Sequence, residues 1–531
     1  MKSKTILFGI DGAPWHLVDK FIEQGSMPNL KRFLETGAKG TLLSTFPTET
    51  MAAWTSIFTG VNPGKHGMPD FRLRLDGKIE IAQSRYRQAE TIWQILSKRG
   101  LRSIVINDPV TYPPYAINGV MTSGLMTPPH AKNYIYPAEM KEEIDQVVGG
   151  YMCEPPSTFY EKAINDKPDA YAMLEEVATK QAKTALYLAG KMDWDILAPI
   201  FTTTDRLMHI FYSDFEYLTK HFMLMDEFLG QFLEIADREN ANILIASDHG
   251  FGPTEKALYI NTWLASEGFQ VAKKSAVRSV LTSSGLTIYK MMDIIGKLHL
   301  SGIALKIYQM SPRMVKDAIP LGSYEDMQTD YDNSQAFSTA YHGIYMNSKL
   351  KGNEFENVRN AIIDKLYQVN DNGTKVVEKV YKREEVLWGP HSDRSPDIFV
   401  VTKVGYGMST HLNRRIFDKL QNHGAIISGS HRMEGIIAAS GPDIKKGIRL
   451  EKELHVWDVA STILHMHSIP IPNHMDGKVI TELFAPNSEL LAKRITVENT
   501  SESLRIRQKL RSLSKETKAI SERAEVEPAL K

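Results

Sequence analysis

Ile243-Leu244-Ile245-Ala246-Ser247-Asp248-His249-Gly250 is a short apolar run that ends abruptly in a carboxylate, an imidazole and a glycine. The same kind of run recurs at Thr5–Ile10, Ser103–Ile106, Ile196–Phe201, Ile398–Val401 and Ile436–Ala439, with helical patterns between several of them. One such pattern, Thr91–Lys98, is closed by Gly100 just before the next run, which is a helix stop signal. Alternation of this sort predicts an α/β chain built on a mostly parallel sheet with crossover helices. Such sheets bind ligands beyond the carboxyl ends of their strands. That rule selects Asp11, Asn107, Thr202–Asp205, Ser247–His249 and the loops near Ser395 and Ser440.

Two segments interrupt the alternation. Residues 130–190 read as mostly helical and polar, and residues 268–335 as helices rich in Lys and Met; both are expected to be insertions capping the site. Residues 486–531 form a charged tail with few apolar anchors, expected to be a peripheral helix or partly disordered. The remaining span, 1–485, is expected to be one catalytic domain carrying the two caps.

The chain has 531 residues, 42% hydrophobic and 24% charged, an ordinary globular mixture for most of its length. Basic and acidic residues number 63 each, so no broad positive field is available for non-specific nucleic-acid binding. The single cysteine, Cys153, excludes an intramolecular disulfide and a cysteine-based zinc site. The apolar run near the N-terminus is too short for a secretory signal, and no stretch approaches the roughly 18 apolar residues of a membrane span. A cytoplasmic location is the resulting expectation.

Oxygen and nitrogen ligands gather at the predicted strand ends. Asp11 ends the first run, Asp248 and His249 end another, and His431 precedes a third. Asp205 and His209 stand four apart, so on a helix they share one face and can chelate one ion. Each fragment alone is weak: an Asp/His pair at this spacing is more often a surface pair, and their joint placement carries the argument. Three Asp and three His without a thiolate suit two divalent ions, Zn²⁺ or Mn²⁺. A hydroxyl nucleophile is offered by the segment Phe46–Ser56, in which Thr48, Thr50 and Thr55 are all candidates by spacing. A divalent ion favours the alkoxide, and a helix N-terminus adds N–H groups for a phosphate. Thr at such a place also serves simply as a helix cap.

The ordered set Asp11, Thr50, Asp205/His209, Asp248-His249 and His431 resembles the alkaline-phosphatase superfamily. Within it, the type I phosphodiesterase/nucleotide pyrophosphatase branch and its predicted phosphohydrolase/phosphomutase relatives fit best. Thr59–Gly67, Tyr259-Ile260-Asn261, Gly343–Asn347, Arg394–Asp397 and Asp476–Val479 add to the likeness, which spans roughly residues 4–485. The resemblance implies that Thr50 is the nucleophile. It implies one ion on Asp11, Thr50, Asp248 and His249, and a second on Asp205, His209 and His431. The implied activity is cleavage of a phosphodiester, pyrophosphate or phosphomonoester of a small metabolite through a phospho-threonine enzyme. A phosphotransferase or mutase with the same intermediate is the alternative, and a silent binding protein of the same fold a more distant one. Ala53, three residues after Thr50, stands where nucleotide pyrophosphatases carry Asn, so diester specificity is not carried over. Asn107 is the candidate substitute donor to substrate, beside a plain turn role for Asn107-Asp108-Pro109. Lys65 is a second candidate substrate contact, beside a plain loop role for Lys65 and His66.

Gly60–His66 lacks the spacing and the Ser/Thr of a P-loop. His465, His467 and His474 are spaced as core and loop histidines, and the Met and aromatic residues at Tyr289–Met292 and Tyr308–Met310 as packing. Residues 271–316 carry eight Lys and Arg named by position (Lys273, Lys274, Arg278, Lys290, Lys297, Lys306, Arg313, Lys316), with Ile288, Met291, Ile295 and Leu298 at helical spacing. The plain reading is a cap helix with a solvated basic face; the other is peripheral contact with an anionic membrane.

Overall fold

The computed structural model describes residues 4–499 apart from 76–77, 130, 272–328, 341–342, 414 and 423–424. The strands that position the site are β1 (Thr5–Ile10), β2 (Ala38–Leu43), β3 (Ser103–Asp108), β4 (Gly119–Ser123), β5 (Ile135–Tyr136), β6 (Ile196–Phe201), β7 (Asn242–Ala246), β8 (Gly250–Tyr259), β9 (Gly429–Arg432), β10 (Glu434–Ser440) and β11 (Ile448–His455). All but β8 and β9 form one nine-stranded sheet in the order β11-β2-β10-β7-β1-β6-β3-β4-β5. β1 lies parallel between β6 and β7, with Thr5 opposite both Ile196 and Asn242. β10 runs antiparallel between β2 and β7, and β5 antiparallel at the edge. The remaining pairings are parallel, as the buried apolar runs predict.

The period of two along β1 divides the core. Ile6, Phe8 and Ile10 face a cluster with Phe201 and Phe232, whereas Leu7 faces one with Trp54, Trp93 and Ile437. The helices needed below are α1 (Thr50–Thr59), α2 (Pro63–His66), α3 (Ile92–Lys98), α4 (Lys167–Lys191), α5 (Thr203–Phe211) and α6 (Phe215–Glu239). α3 begins in a capping box in which Thr91 and Gln94 exchange side-chain-to-backbone hydrogen bonds, and the chain turns back at Gly100 with φ +77°. The expected helix is therefore present with its boundary.

Of the expected insertion at 130–190, α4 belongs instead to the helical layer on the sheet. Its stripe of Ala170, Leu174, Ala178, Ala182, Ala185 and Leu188 is buried in the core cluster that contains Ile104, Ile106 and Leu197. Alanines make that stripe look weakly apolar in sequence, which is why the segment reads as polar. The expected insertion at 268–335 is described only at its ends. Asp330 N donates to Val271 O at 2.8 Å, so the chain leaves and rejoins the fold at one place. The basic segment 271–316 lies outside the described residues except for Val271, as do Tyr289–Met292 and Tyr308–Met310.

Ile398–Val401 is a correction. The run forms a strand, Ile398–Thr402, but in a separate four-stranded sheet, antiparallel to Gly343–Met346 and Val377–Lys382. That sheet has its own core around Ile344, Ile362, Val380 and Ile398. A buried run shows that a strand is covered on both faces; it does not show which sheet it joins. The Ser395 loop follows that correction and the Ser440 loop another, because β10 is antiparallel and its carboxyl end lies away from those of β1 and β7. From 486 to 499 the tail is anchored: Leu490 is buried, and Val497–Glu498 pairs with Ile471–Pro472. Residues 500–531 lie outside the described ones. No described helix is long and apolar enough to cross a membrane.

Asp108, the last residue of β3, is buried, with Trp93 Nε1 donating to its Oδ2 at 2.9 Å and its Oδ1 without a partner. Burial pushes its carboxyl up to about 8 from the ordinary 3.8, despite the Trp93 bond and the nearby Arg87. An acid raised in this way binds more protons folded than unfolded. Its stabilising contribution is full below the unfolded value and is lost as pH rises through about 8. Asp108→Asn, which keeps an acceptor for Trp93 and cannot ionise, is expected to match the wild type at about pH 4 and exceed it by ~2 kcal/mol at about pH 8.5. Denaturant unfolding at the two pH values checks this; an equal difference at both contradicts it.

Candidate active site

Four pieces of chain meet at the carboxyl ends of β1, β6 and β7. Asp11 follows β1 and is held there by its N–H donating to Phe201 O at 3.0 Å. Asp248 and His249 occupy the three-residue connection, 247–249, from β7 to β8. Ser247 braces that connection: its hydroxyl donates to His249 O at 2.6 Å and accepts from Ala13 N at 2.8 Å. α5 starts just beyond β6 and places Asp205 and His209 on one face, His209 Nε2 lying 3.4 Å from Asp205 Oδ1. His431 comes from β9, which pairs antiparallel with β8 so that His431 stands opposite Phe251. It therefore enters from the strand before β10, the route by which an antiparallel strand can deliver a ligand to the same end.

The ligand atoms form two groups, Asp11/Asp248/His249 and Asp205/His209/His431, within each of which they lie no more than 4.8 Å apart. The groups adjoin: His249 Nε2 is 4.0 Å from Asp205 Oδ1, and the His249 and His431 rings stack at 3.8 Å. Asp11, Asp248 and His249 are wholly buried, whereas the His209 side chain is 27% exposed, so the cluster opens to solvent on the His209 side.

Hydrogen bonding fixes how the imidazoles point. His209 Nδ1 faces Gly429 O at 3.1 Å, His249 Nδ1 faces Gly250 O at 3.0 Å, and His431 Nδ1 faces Thr48 O at 2.8 Å. A carbonyl only accepts, so Nδ1 carries a proton in each, and in the neutral form of each ring Nε2 is the bare lone pair turned toward the cluster. There Nε2 of His431 lies 3.0 Å from Nε2 of His209 and 3.1 Å from Asp205 Oδ1. His249 Nε2 lies 3.3 Å from Asp248 Oδ2 and 3.5 Å from Asp11 Oδ1, two buried oxygens without a hydrogen-bond partner. Acceptors facing acceptors repel unless a cation stands among them. The donor set therefore fits divalent ions bound through nitrogen and oxygen.

The electrostatics agree. Burial, and then Asp248 and Asp205, push the Asp11 carboxyl well above its ordinary range, and burial does the same to Asp248. Burial also opposes ionisation of Asp205, but His209 and His431 overcome it and hold that carboxyl well below its ordinary value. The His249 imidazole is pushed well down by burial and by His431. Two carboxyls thus remain short of positive charge, which bound cations would supply.

Thr50 is the first residue of α1 and is 3% exposed, with its hydroxyl 3.3 Å from His249 Nε2. Glu49 before it is extended at φ −129°, and the first intrahelical bond runs from Ala53 N to Glu49 O. The N–H groups of Thr50, Met51 and Ala52 thus precede the hydrogen-bonded helix and form an anion-binding end. Of the three threonines left open by spacing, Thr50 alone has its hydroxyl bonded into the cluster. Thr48 donates its hydroxyl to Thr45 O, and Thr55 is placed more than a turn into α1.

The two substrate candidates behave as structure. Asn107 is wholly buried at φ +62°, and its amide donates to Ile200 O at 3.0 Å and Thr202 Oγ1 at 3.2 Å. It ties β3 to β6 and offers no donor to the cleft. Lys65 Nζ is taken by Asp476 Oδ1 at 2.6 Å and His474 O at 2.9 Å. His66 is buried and joins α2 to α1 through Ser56 Oγ at 3.0 Å. His465 and His467 are likewise used on Leu490 O and Thr5 Oγ1. Sequence reasoning selected Ser247 by its place at a strand end but gave it no role, and missed Phe251, whose ring lies within 4.9–6.0 Å of all three cluster imidazoles. It also missed Glu49 and Asp70, buried acids whose carboxyls burial raises to about 8 and about 6.

A family model described as type I phosphodiesterase / nucleotide pyrophosphatase matches residues 5–426, ending five residues before His431. Phosphonoacetate hydrolase from Sinorhizobium meliloti 1021, solved with phosphonoformate, is similar in structure at a TM-score of 0.52 and 16% identity. The alignment covers 88% of this chain and 95% of that one. The same protein with phosphonoacetate aligns at 14% identity with equal coverage and TM-score. At such identity the likeness is one of fold. No curated protein sequence matches the chain.

Proposed function

The chain belongs to the type I phosphodiesterase / nucleotide pyrophosphatase family, phosphoric ester hydrolases of the alkaline phosphatase superfamily, and from that premise we propose that it cleaves a phosphodiester, pyrophosphate or phosphomonoester of a small metabolite through a phospho-threonine at Thr50. The observation that carries this reading is the placement of one hydroxyl, Thr50 Oγ1, at a helix N-terminus and 3.3 Å from the His249 imidazole.

Asp11, Asp248, His249 and the Thr50 oxygen would hold one divalent ion, and Asp205, His209 and His431 the other. Ions bound there would supply Lewis acidity, easing loss of the Thr50 proton and offsetting the charge that builds up on the phosphoryl oxygens. The residues do the rest. The N–H groups at the start of α1 receive the phosphoryl oxygens and hold phosphorus near Thr50 Oγ1. The Thr50–phosphorus bond forms as the bond to the leaving ester oxygen breaks. Water, admitted on the His209 side, then cleaves the Thr50–phosphorus bond and regenerates the hydroxyl. Phe251 and the carbonyls facing Nδ1 keep the three imidazoles in place throughout.

Acid quench during turnover of a bis-aryl phosphate and of a mono-aryl phosphate, followed by peptide mapping, tests the proposal. An aryl-phosphoryl group from the diester, or a phosphoryl group from the monoester, is expected on the peptide containing Thr50 and absent from Thr50→Ala. Either group on another residue, or turnover with no trapped group alongside full activity of Thr50→Ala, contradicts it. The ratio of the two rates assigns diester or monoester preference, and acceptor-dependent products would indicate phosphoryl transfer in place of hydrolysis.

A further inference from the structure

Asp11 and Asp248 meet the same requirement by different means. Each buried carboxylate leaves one oxygen bare toward His249 and gives the other to an N–H donor. For Asp248 the donor is main chain, Gly12 N to Oδ1 at 3.1 Å. For Asp11 it is a side chain, Trp54 Nε1 to Oδ2 at 3.0 Å, and both residues are wholly inaccessible.

The indole is held in that position from three directions. Trp54 lies four residues after Thr50 on α1, so one helix face carries both the hydroxyl and the donor. Its ring stacks on Phe58 at 5.5 Å, and Phe58 packs on Trp93 at 5.2 Å. On the sheet side stands Gly9, two residues before Asp11. A Cβ at Gly9 would come within 2.6 Å of Trp54 Cη2 and of Ile200 Cδ1, so β1 makes room for the ring by lacking a side chain there.

We propose that Trp54 is a positioning residue: its indole N–H holds Asp11 Oδ2 so that Oδ1 faces Asp248 and His249, and so sets the divalent-cation affinity of that group and its registry with Thr50. The proposal rests on the cation-site reading above. Trp54 touches no reacting atom, and its effect is confined to one of the two groups, because the ligands Asp205, His209 and His431 have no contact with it among the bonds described.

Two replacements separate the N–H from the ring. Trp54→Phe keeps an aromatic against Phe58, and replacement of Trp54 by benzothienylalanine keeps the full shape while deleting only the donor. Full-length apo-protein is titrated with Zn²⁺ against a chromogenic chelator, with Asp11→Asn and Asp205→Asn marking the two binding events. Both Trp54 replacements are expected to weaken the event that Asp11→Asn abolishes by ~10–100-fold and to leave the other within about threefold. Turnover should recover as Zn²⁺ is raised, with KM unchanged, and apo-protein melting of the benzothienyl form should match the wild type. Wild-type affinity at both events in the benzothienyl form overturns the proposal, as does equal weakening of both. A wild-type protein with no binding event removes the cation reading itself, and this inference with it.

Discussion

Thr50→Ala is expected to lower kcat by ~10⁴-fold or more while the protein still binds divalent cation on its Asp and His ligands. The size follows from the loss of the covalent step. The remaining machinery, N–H groups at the start of α1 and the cluster itself, can still bind and polarise a phosphoryl group, which sets the floor of residual activity. Ala fits without strain because Thr50 already has helical geometry and its hydroxyl makes no bond to another element besides His249. Thr50→Ser, which restores the hydroxyl, should recover much of the rate. Turnover and bound cation measured on the same preparation decide the matter: a kcat within ~10-fold of the wild type excludes Thr50 as nucleophile.

Asp205→Asn is expected to cost ~10³-fold in kcat and one bound cation. Asp205 is the single carboxylate in its group, where Oδ1 lies 3.1 Å from His431 Nε2 and 3.4 Å from His209 Nε2. An amide in its place keeps the shape and removes the charge that makes this group attractive to a cation. The amide also gives up the attraction by which His209 and His431 hold the ionised Asp205 carboxyl well below its ordinary value, so some loss of stability in the cation-free protein is expected as well. Thermal unfolding of the cation-free protein measures that loss apart from the loss of cation. Two cations retained by Asp205→Asn at wild-type affinity would contradict the assignment.

What could be read from sequence was whatever depends on neighbours along the chain. β1 and β7 are apolar runs ending in Asp11 and Asp248, and both carboxylates stand where a parallel sheet delivers them. Asp205 and His209 are legible because i and i+4 share a helix face, and their side chains do meet. Sheet membership was not legible: Ile398–Thr402 is nearly as buried as β6 and sits in another sheet. Nor was side-chain aim. Asn107 follows its run as Asp11 does, yet φ +62° turns its amide onto Ile200 O and Thr202. Lys65 looked available because its partner, Asp476, is 411 residues away. The tie from Trp54 to Asp11 bridges 43 residues and left only a spacing of four from Thr50 as its trace.

The account turns on lone pairs that face one another across a buried cluster and need positive charge between them. Metal analysis of the purified wild-type protein after exhaustive dialysis in chelator-treated buffer measures that need directly. About two equivalents of divalent metal per chain are expected, falling to about one in Asp11→Asn and in Asp205→Asn. A wild-type protein that folds, turns over a phosphate ester and holds no divalent metal would contradict it.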